Sequence, residues 1–528
     1  MSEDLTRAQK LELLDEAGFG QDESPAVVGR RGATQDITDD NIIAETDEKV
    51  KEKSPTQAEI LLNIAEGMGA EFFADEIANL YAAIPVEGHT ELLRLDGGDF
   101  RLLLQGLYYR RTSKPVSADA LVQAVGIFSA RARFEGSEPK KLNVRVAEHS
   151  SSFWYDLSNR IWQAVEVTPS GWRIVNKPPI LFKRFKHQRA QVTPAPSGDV
   201  SKIFKYIPIK QNPLLFLVLL CCYFIPSIPR PMLVIYGEKG SGKTTTSEFM
   251  KSLVDPSALS TLTLKNDERD LLVNLVQHHF LVFDNATYIN EATSNELCRA
   301  VTGGGNQARK LYSDDDAVIF NFQRCVLLNG VSNIVTRSDL LDRSVLIEIE
   351  RLKEYRQIAA IRADFKRDKP EILGGIFGII SSAMQIFPHV NLDSHPLNGC
   401  LRMNDFSAWG YALAEAIEVD SGEKFLKEYA ANKITQNDEA INSDPVAFLV
   451  IEFMRGRESW SGTATNLYSE LTFIASENKI STRGKSFPQD PARLSKRLNG
   501  IKSNLEMAGV NFEKSKSGER SVTFTRRS

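Results

Sequence analysis

The stretch MLVIYGEKGSGKTTTSEFMKSLV, residues 232–254, decides the fold of this chain. A short run of β-formers at 232–236 precedes GEKGSGKT at 237–244, which fits the pattern GxxxxGK[ST]. The glycines let backbone N–H groups turn inward around a phosphate, while Lys243 suits its outer oxygens and Thr244 suits Mg²⁺. The helix that follows would direct its positive end at the anion. The residues predicted to contact a nucleotide are Gly237, Glu238, Lys239, Gly240, Ser241, Gly242, Lys243, Thr244 and Thr245.

A second motif supplies a carboxylate for the metal. HFLVFDN at 279–285 predicts a buried strand ending in Asp284, the Walker B arrangement, in which Asp284 and Thr244 hold Mg²⁺. Asn285 stands where many ATPases place a glutamate that polarises the attacking water, and an amide cannot accept that proton. Base catalysis is therefore weak or comes from elsewhere. Glu291 and Glu268 are candidates between which the sequence does not choose.

Two further residues complete the predicted catalytic set. CVLLN at 325–329 predicts a strand ending in Asn329, whose amide suits hydrogen bonds to a γ-phosphate and to the attacking water. The segment RSDLLDRS then brings Arg343, whose planar guanidinium matches phosphate oxygens and would act in a neighbouring subunit's site. The alternative for Arg343 is a structural ion pair with Asp339 or Asp342. The predicted catalytic residues are Lys243, Asp284, Asn329 and Arg343.

The order of these motifs resembles the superfamily 3 helicases, AAA+-type ring motors of small viruses, plasmids, phages and integrated elements. The likeness is closest to their poxvirus-type primase-helicase branch and covers roughly residues 230–410, through GEKGSGKT, LVFDN, LCRAVTGGGNQARKLYSDDD, VLLNGV and TRSDLLDR. It implies ATP and Mg²⁺ as cofactors. It also implies a homo-oligomeric ring, such as a hexamer, with the ATP sites between subunits.

The same resemblance implies that Thr302 to Tyr312 leads into a β-hairpin lining a central channel. Arg309 and Lys310 are then the predicted phosphate contacts with single-stranded DNA. Three aspartates at 314–316 occupy the hairpin turn and would repel a DNA backbone. Either the bases face the channel and the acids a neighbour, or this channel does not grip DNA as the family does.

The C-terminal segment predicts a winged helix. Helices are predicted over 443–454, 463–475 and 491–508, and VNFEK and SVTFTRR would form a two-stranded wing. Asp490 is the predicted N-cap of the third helix, whose apolar stripe is Leu494, Leu498, Ile501 and Leu505. Lys496 and Arg497 lie off that stripe and are the predicted contacts with duplex DNA. The alternative is a protein-binding winged helix or a solvated basic helix.

Length, composition and charge set the domain expectations. A chain of 528 residues with 42% hydrophobic and 25% charged residues predicts several globular domains. Five cysteines without CxxC spacing indicate neither a disulfide framework nor a zinc site, and suit a cytoplasmic location. The start has no signal-peptide pattern, and the longest apolar run, 214–225, is shorter than the ~20 residues of a membrane span, so no membrane partner is predicted. The predicted parts are an acidic, disordered tail at 1–60, an α+β domain at 61–200, the P-loop core with a helical extension at 201–440, and the winged helix at 441–528.

The region before the core carries weaker signals. Helices are predicted at 57–81, 99–111 and 117–134, a β-rich stretch at 141–175, and a linker at 193–199. Trp154, Trp162 and Trp172 suit the core of a small sheet, or alternatively the stacking of nucleic-acid bases. No HxH or HUH pattern indicates a relaxase or primase, so a separate primase is a predicted partner.

Together these observations predict an α/β fold with a P-loop AAA+-type ATPase core, an N-terminal α+β domain and a C-terminal winged helix. The leading hypothesis is an ATP-hydrolysing ring helicase that translocates on DNA during replication of a phage, plasmid or integrated element. The alternative is a non-helicase AAA+-type ATPase with a regulatory or defence role that binds DNA through its winged helix. A third hypothesis, a binding module with a degenerate P-loop, is opposed by intact Lys243, Thr244 and Asp284.

Overall fold

The chain forms two compact units, Met1–Lys141 and Leu142–Ser528, each with its own hydrophobic core. The division falls inside the α+β domain predicted at 61–200. The acidic tail predicted at 1–60 lies almost entirely outside the described residues. The computed structural model describes residues 54–86, 89–136, 138–209, 211–309, 317–330, 335, 337–350, 357–397, 403–482, 487–515 and 521–526.

The first unit packs helices against a three-stranded antiparallel sheet. Thr56 caps its first helix, because its hydroxyl accepts from the Glu59 N–H while the Glu59 carboxylate accepts from the Thr56 N–H. That helix ends at Gly67 rather than at 81 as predicted, since Gly69 takes a φ of 68° and a strand begins at Glu71. The elements are α1 (Gln57–Gly67), β1 (Glu71–Ala74), β2 (Leu80–Val86), β3 (His89–Arg94), α2 (Gly98–Thr112) and α3 (Ala118–Ala130).

The second unit begins with a four-stranded antiparallel sheet, as the β-rich stretch predicts. Trp154 is buried in this sheet, and the Trp172 ring packs on Phe377 with 5.8 Å between ring centroids. The Arg184 guanidinium lies 3.8 Å from the centroid of the Trp162 ring. These contacts favour the core interpretation of the tryptophans over the stacking of bases. The elements are β4 (Val146–His149), β5 (Ser152–Asp156), β6 (Ala164–Thr168), β7 (Gly171–Val175) and α4 (Pro213–Cys222).

A four-stranded parallel sheet follows. Its strands are continuous apolar runs, as expected where both faces of a parallel sheet are covered. Leu233 and Ile235 enter the core on one face, and Met232 and Val234 enter the core on the other. The elements are β8 (Met232–Tyr236), α5 (Lys243–Val254), α6 (Glu268–Gln277), β9 (Phe280–Phe283), α7 (Glu291–Thr302), β10 (Gly304–Arg309), β11 (Ala317–Phe322), β12 (Cys325–Asn329), α8 (Ser338–Leu341) and β13 (Ser344–Glu348). The order in the sheet is β13-β8-β12-β9, and β10 and β11 form a separate antiparallel pair.

A helical extension covers one face of that sheet with α9 (Ile358–Ile386), α10 (Asn404–Ile417) and α11 (Gly422–Ser443). Within the described part of the chain, the stretch Ile358–His389 is the one helix that is long and apolar enough to cross a membrane. Half of its most apolar window is buried, and Ile372, Ile376 and Phe377 lie in the main core. It therefore has the burial pattern of a core helix.

The linker predicted at 193–199 is instead a packed segment. The Asp199 N–H donates to the Glu371 carbonyl at 3.1 Å, which attaches the segment to α9. Gly198 makes this close approach possible, since a Cβ there would lie 1.9 Å from the backbone nitrogen of Gly375. The prediction was wrong because Thr, Pro, Ser and Gly are typical of loops, and the local sequence does not show that Gly198 permits a close backbone contact with a distant helix.

The C-terminal part forms a small module with its own core. The predicted stripe of Leu494, Leu498, Ile501 and Leu505 is buried, and Asp490 caps its helix as predicted by accepting from the Arg493 N–H at 2.8 Å. The predicted single helix divides at Gly500, and an unpredicted strand, β14, pairs with the second wing strand. The elements are α12 (Pro445–Phe453), β14 (Ser459–Thr463), α13 (Ala464–Glu477), α14 (Pro491–Gly500), α15 (Lys502–Met507), β15 (Val510–Lys514) and β16 (Ser521–Arg526).

Replacing Gly375 with alanine tests the packing of the 193–199 segment on α9. Its Cβ would lie 2.6 Å from the Val200 nitrogen, so Gly375→Ala should lower the free energy of unfolding by about 1–3 kcal/mol. Gly378→Ala, three residues further along the same helix, meets nothing within 4 Å and should raise it by ~0.5–1 kcal/mol. Urea denaturation measures both. Equal stabilisation by the two changes would contradict the packing.

Candidate nucleotide site

The loop between β8 and α5, residues 237–244, has the backbone of a phosphate cradle and is called the glycine loop. Gly240 and Gly242 both take a φ of 85°, a left-handed conformation that side-chain-bearing residues avoid. Gly237 has a φ of 150°, and a Cβ there would lie 2.3 Å from the Ile349 carbonyl oxygen. The glycine loop therefore requires glycine at all three positions.

Lys243 begins α5 and folds over the glycine loop. Its Nζ donates to the carbonyl oxygens of Gly237 at 2.8 Å and Glu238 at 2.7 Å, and it lies 3.4 Å from the Ser241 Oγ. Burial lowers the pKa of the Lys243 ammonium, and the Asp284 carboxylate opposes that shift. The backbone carbonyls of the glycine loop thus bind the Lys243 ammonium. Glu238, Lys239 and Gly240 are exposed on the rim, whereas Ser241 is fully buried.

Thr244 and Asp284 meet beside that cation, although 40 residues separate them. The Thr244 hydroxyl donates to an Asp284 carboxylate oxygen at 3.2 Å. Thr244 occupies the first turn of α5 and Asp284 follows the end of β9, so the sheet brings them together at its carboxyl edge. A hydroxyl and a carboxylate oxygen are ligands that Mg²⁺ prefers. The donor set therefore fits a magnesium ion next to a phosphate.

Asn329 links the strands of the site to the loop helix. Its side-chain NH₂ donates to the Ser247 hydroxyl on α5 at 2.8 Å, and its side-chain oxygen accepts from the Asn285 N–H at 2.9 Å. Asn285 takes a φ of 52°, and the next N–H, of Ala286, donates to the Asn329 backbone carbonyl at 3.0 Å. One buried amide thus fixes α5 relative to the residues that follow Asp284.

The two candidate bases lie at neighbouring helix starts. Glu291 opens α7 and its carboxylate lies 3.5 Å from the Arg337 guanidinium, while Glu268 opens α6 and is exposed. Asn266 ties these helix starts together, since its side-chain oxygen accepts from the N–H of Asn290 at 2.9 Å. The two helix starts therefore lie together, and the contacts do not distinguish the two carboxylates as bases.

Arg343 lies at the opposite edge of the sheet. It directly precedes β13, and its carbonyl accepts from the N–H of Met232 at the start of β8. Five residue steps, from Met232 to Gly237, or ~16 Å, separate that position from the start of the glycine loop. The Arg343 guanidinium is partly buried and donates to the Asp339 backbone carbonyl at 2.6 Å, whereas the Asp339 carboxylate lies 3.4 Å from Arg337. Arg343 therefore does not contact the loop of its own subunit.

The residues predicted to bind DNA lie in two places. Arg309 ends β10, where it pairs with Ala317 of β11, as the hairpin prediction requires. Lys310 and the aspartates at 314–316 lie outside the described residues. On α14, Lys496 is exposed, and the Arg497 guanidinium forms an ion pair with Asp444, the N-cap of α12.

Sequence reasoning missed several polar residues that support the site. Ser247 holds the Asn329 amide, and its position one turn after Thr244 was the available signal. On α11, the side chains of Asn432, Lys433 and Gln436 bond to the backbone of β13 and the turn before it. They are buried polar residues within a largely apolar helix face, a pattern that marks a specific buried contact.

The sequence was compared with known families and structures. Residues 202–438 match the family described as actinomycete integrative conjugative element replication protein, and residues 446–528 match the AICE RepA C-terminal domain. No curated protein sequence matches this chain.

Among solved structures, the helicase titled SCCmec type IV Cch is 12% identical over 86% of this chain and 92% of that chain, with a TM-score of 0.44. An apo structure of the NrS-1 C-terminal region is 10% identical over 89% of this chain and 98% of that one, with a TM-score of 0.37. Since both TM-scores are below 0.5, we draw nothing further from these two likenesses. The family matches cover most of the second unit, including the glycine loop, Asp284, Asn329 and Arg343, and this chain belongs to the replication protein family of actinomycete integrative conjugative elements.

Proposed function

We propose that this replication protein is an ATP-hydrolysing helicase that works as a homo-oligomeric ring, such as a hexamer, and translocates on DNA when the element replicates. The observation that carries the proposal is the convergence of Lys243, Thr244 and Asp284 at one sheet edge, beside a loop whose glycines have positive φ. That set combines a phosphate cation with a hydroxyl and a carboxylate for a metal. A superfamily 3-like motor is the finer form of the proposal.

The residues of the glycine loop and Thr245 would hold the ATP phosphates through backbone N–H groups and the Lys243 ammonium. Thr244 and Asp284 would hold Mg²⁺, which when bound neutralises charge on the phosphate oxygens. Asn329 suits a sensor role, because its amide already joins α5 to the residues after Asp284. Movement of Ser247 would therefore be transmitted to Asn285 through the Asn329 side chain, and movement of Asn285 to Ser247 in the same way.

Arg343 is proposed to complete the site of a neighbouring subunit. Its distance from its own glycine loop, about a strand length, rules out contact with its own phosphates in this conformation. A guanidinium at a subunit boundary can stabilise charge that develops on a transferred phosphoryl group. ATP turnover then depends on assembly, which is how a ring motor couples hydrolysis to movement.

DNA is the proposed partner at two surfaces. Single-stranded DNA would contact the β10–β11 hairpin through Arg309 and Lys310, and duplex DNA would contact α14 of the C-terminal module, proposed as a winged helix, through Lys496 and Arg497. Priming is proposed to come from a separate primase.

The second candidate function is a regulatory or defence ATPase that binds DNA without unwinding it. In this alternative the C-terminal module binds DNA, and the three aspartates at 314–316 favour it because carboxylates at the hairpin turn would repel a single strand. ATPase activity without strand displacement on a forked duplex would select it over the helicase.

Replacing Lys243 with alanine tests the glycine loop. Loss of the ammonium should lower ATP turnover by ~100-fold or more, because the charge on the transferred phosphoryl group would lose its main protein cation. In the protein without substitutions, single-stranded DNA should increase ATP turnover, which is measured as phosphate release. Lys265→Ala, which removes an exposed lysine paired with Asp270, is the matched control and should keep full activity. Unchanged turnover in Lys243→Ala would refute the assignment.

Mixing inactive subunits tests action between neighbours. Arg343→Ala keeps its own glycine loop, and Lys243→Ala keeps its Arg343, so a mixture should contain some complete composite sites. Turnover should be recovered above the sum of the two separate proteins. If the mixture stays as inactive as its components, Arg343 does not act in a neighbour's site.

The salt dependence of duplex binding tests α14. Lys496→Ala should weaken binding and reduce the slope of log K against log salt by ~1, because one phosphate contact is lost. Fluorescence anisotropy over a salt series gives that slope. Lys427→Ala on α11 removes another exposed lysine and should leave the slope unchanged. An identical slope in Lys496→Ala would show that Lys496 does not contact a phosphate.

A further inference from the structure

The turn that carries Arg343 is held by backbone bonds on both sides. The Arg343 N–H donates to the Leu340 carbonyl, and the Arg343 carbonyl accepts from the Met232 N–H at 2.8 Å. The Arg343 guanidinium donates a hydrogen bond to the backbone carbonyl of Asp339. The carbonyls at 341, 342 and 344 take no part in these bonds, and as backbone acceptors in a packed part of the fold they need donors from elsewhere.

One side chain on α11, Lys433, donates to all three carbonyls, and Gln436 adds a second donor to the Ser344 carbonyl at 2.9 Å. The Lys433 Nζ donates to the carbonyls of Leu341 at 3.2 Å, Asp342 at 2.7 Å and Ser344 at 2.9 Å. Asp342 and Ser344 are the direct neighbours of Arg343, and Leu341 lies two residues before it. Lys433 is 6% exposed, so its cation is withdrawn from water and depends on these carbonyls. An ammonium has three donor hydrogens, and three carbonyls of a single turn receive them.

Neighbouring residues of α11 contact a different part of the edge strand. Asn432 accepts from the Leu346 N–H at 3.0 Å and donates to the Leu346 carbonyl, two residues into β13. It therefore covers an open sheet edge, where backbone groups would otherwise lack partners. Lys433 is different, since its contacts gather around the turn and not along the strand.

We propose that Lys433 is a positioning residue for Arg343, which fixes the turn so that the guanidinium meets the phosphate bound by the neighbouring subunit. This inference rests on the proposed function, in which Arg343 acts between subunits. Lys433 touches neither nucleotide nor metal. It acts through the carbonyls at 341, 342 and 344, and its loss would let the turn move and misplace the guanidinium, which costs rate steeply.

The α11 helix also reaches the C-terminal module. The Asn437 side chain, one turn after Lys433, donates to the Asn504 carbonyl at 3.1 Å and accepts from the Asn504 side chain at 2.9 Å. The helix that holds the Arg343 turn is therefore the same helix that holds α15. This contact attaches α11 to α15 one turn away from Lys433.

The test adds Lys433→Met to one of the two proteins in the mixed-subunit assay, first to the Lys243→Ala subunit and, in a separate experiment, to the Arg343→Ala subunit. In the subunit that carries Lys243→Ala and supplies Arg343, Lys433→Met should lower the recovered turnover by about tenfold or more, with KM for ATP unchanged. In the subunit that carries Arg343→Ala, the same change should have no effect, because no Arg343 is present to position. A general loss of structure would lower turnover in both placements.

Asn432→Leu is the matched control, since it removes two hydrogen bonds from the same helix to the same strand and should act equally in both placements. Thermal unfolding of each protein checks that Lys433→Met subunits are folded. Equal effects of Lys433→Met in the two placements, or none in either, would overturn the proposal. If the parent mixture without Lys433→Met recovers no turnover, the proposed role of Arg343 fails first and the role of Lys433 fails with it.

Discussion

The Asn329 amide is the contact on which the geometry of the site depends. It is 1% exposed and bonds at once to Ser247 on α5 and to the backbone of Asn285, which follows Asp284 at the end of β9. Both partners are needed, because a buried amide group left unpaired costs about 1–3 kcal/mol. This single side chain links the helix that carries Thr244 to the residue directly after Asp284, and thus joins the two elements that bear the proposed phosphate and metal ligands.

The proposed catalytic residues lie at opposite ends of the strands of the parallel sheet. The glycine loop, Asp284 and Asn329 lie at the carboxyl ends of the strands, where ligands of open α/β sheets bind, while Arg343 lies at the amino end of β13. A complete site therefore requires two copies of the chain if Arg343 takes part. The α11 helix spans the outside of β13 and holds the Arg343 turn through Lys433, so the helical extension belongs to the proposed catalytic unit.

The sequence predicted those parts of the fold whose residues form one continuous local pattern. The strand, glycine loop and helix at 232–254 and the strand before Asp284 follow from local patterns, and β12 was placed by its apolar run. The prediction failed where a distant contact decided the outcome. The helix expected over 57–81 stops at Gly67, because residues 71–74 pair with β2 instead, and the segment at 193–199 packs on α9 through Gly198, a contact that no local pattern encodes. Lys433 was missed for the same reason, because its partners lie about 90 residues earlier in the chain.

The central claim is that the ATP site is completed by a second subunit, and the dependence of turnover on protein concentration tests it most directly. ATP turnover per subunit, measured together with the mass of the assembly in Mg·ATP, should rise with concentration and level off as the ring forms. Turnover per subunit that stays constant while the protein remains a monomer at every concentration would contradict the account.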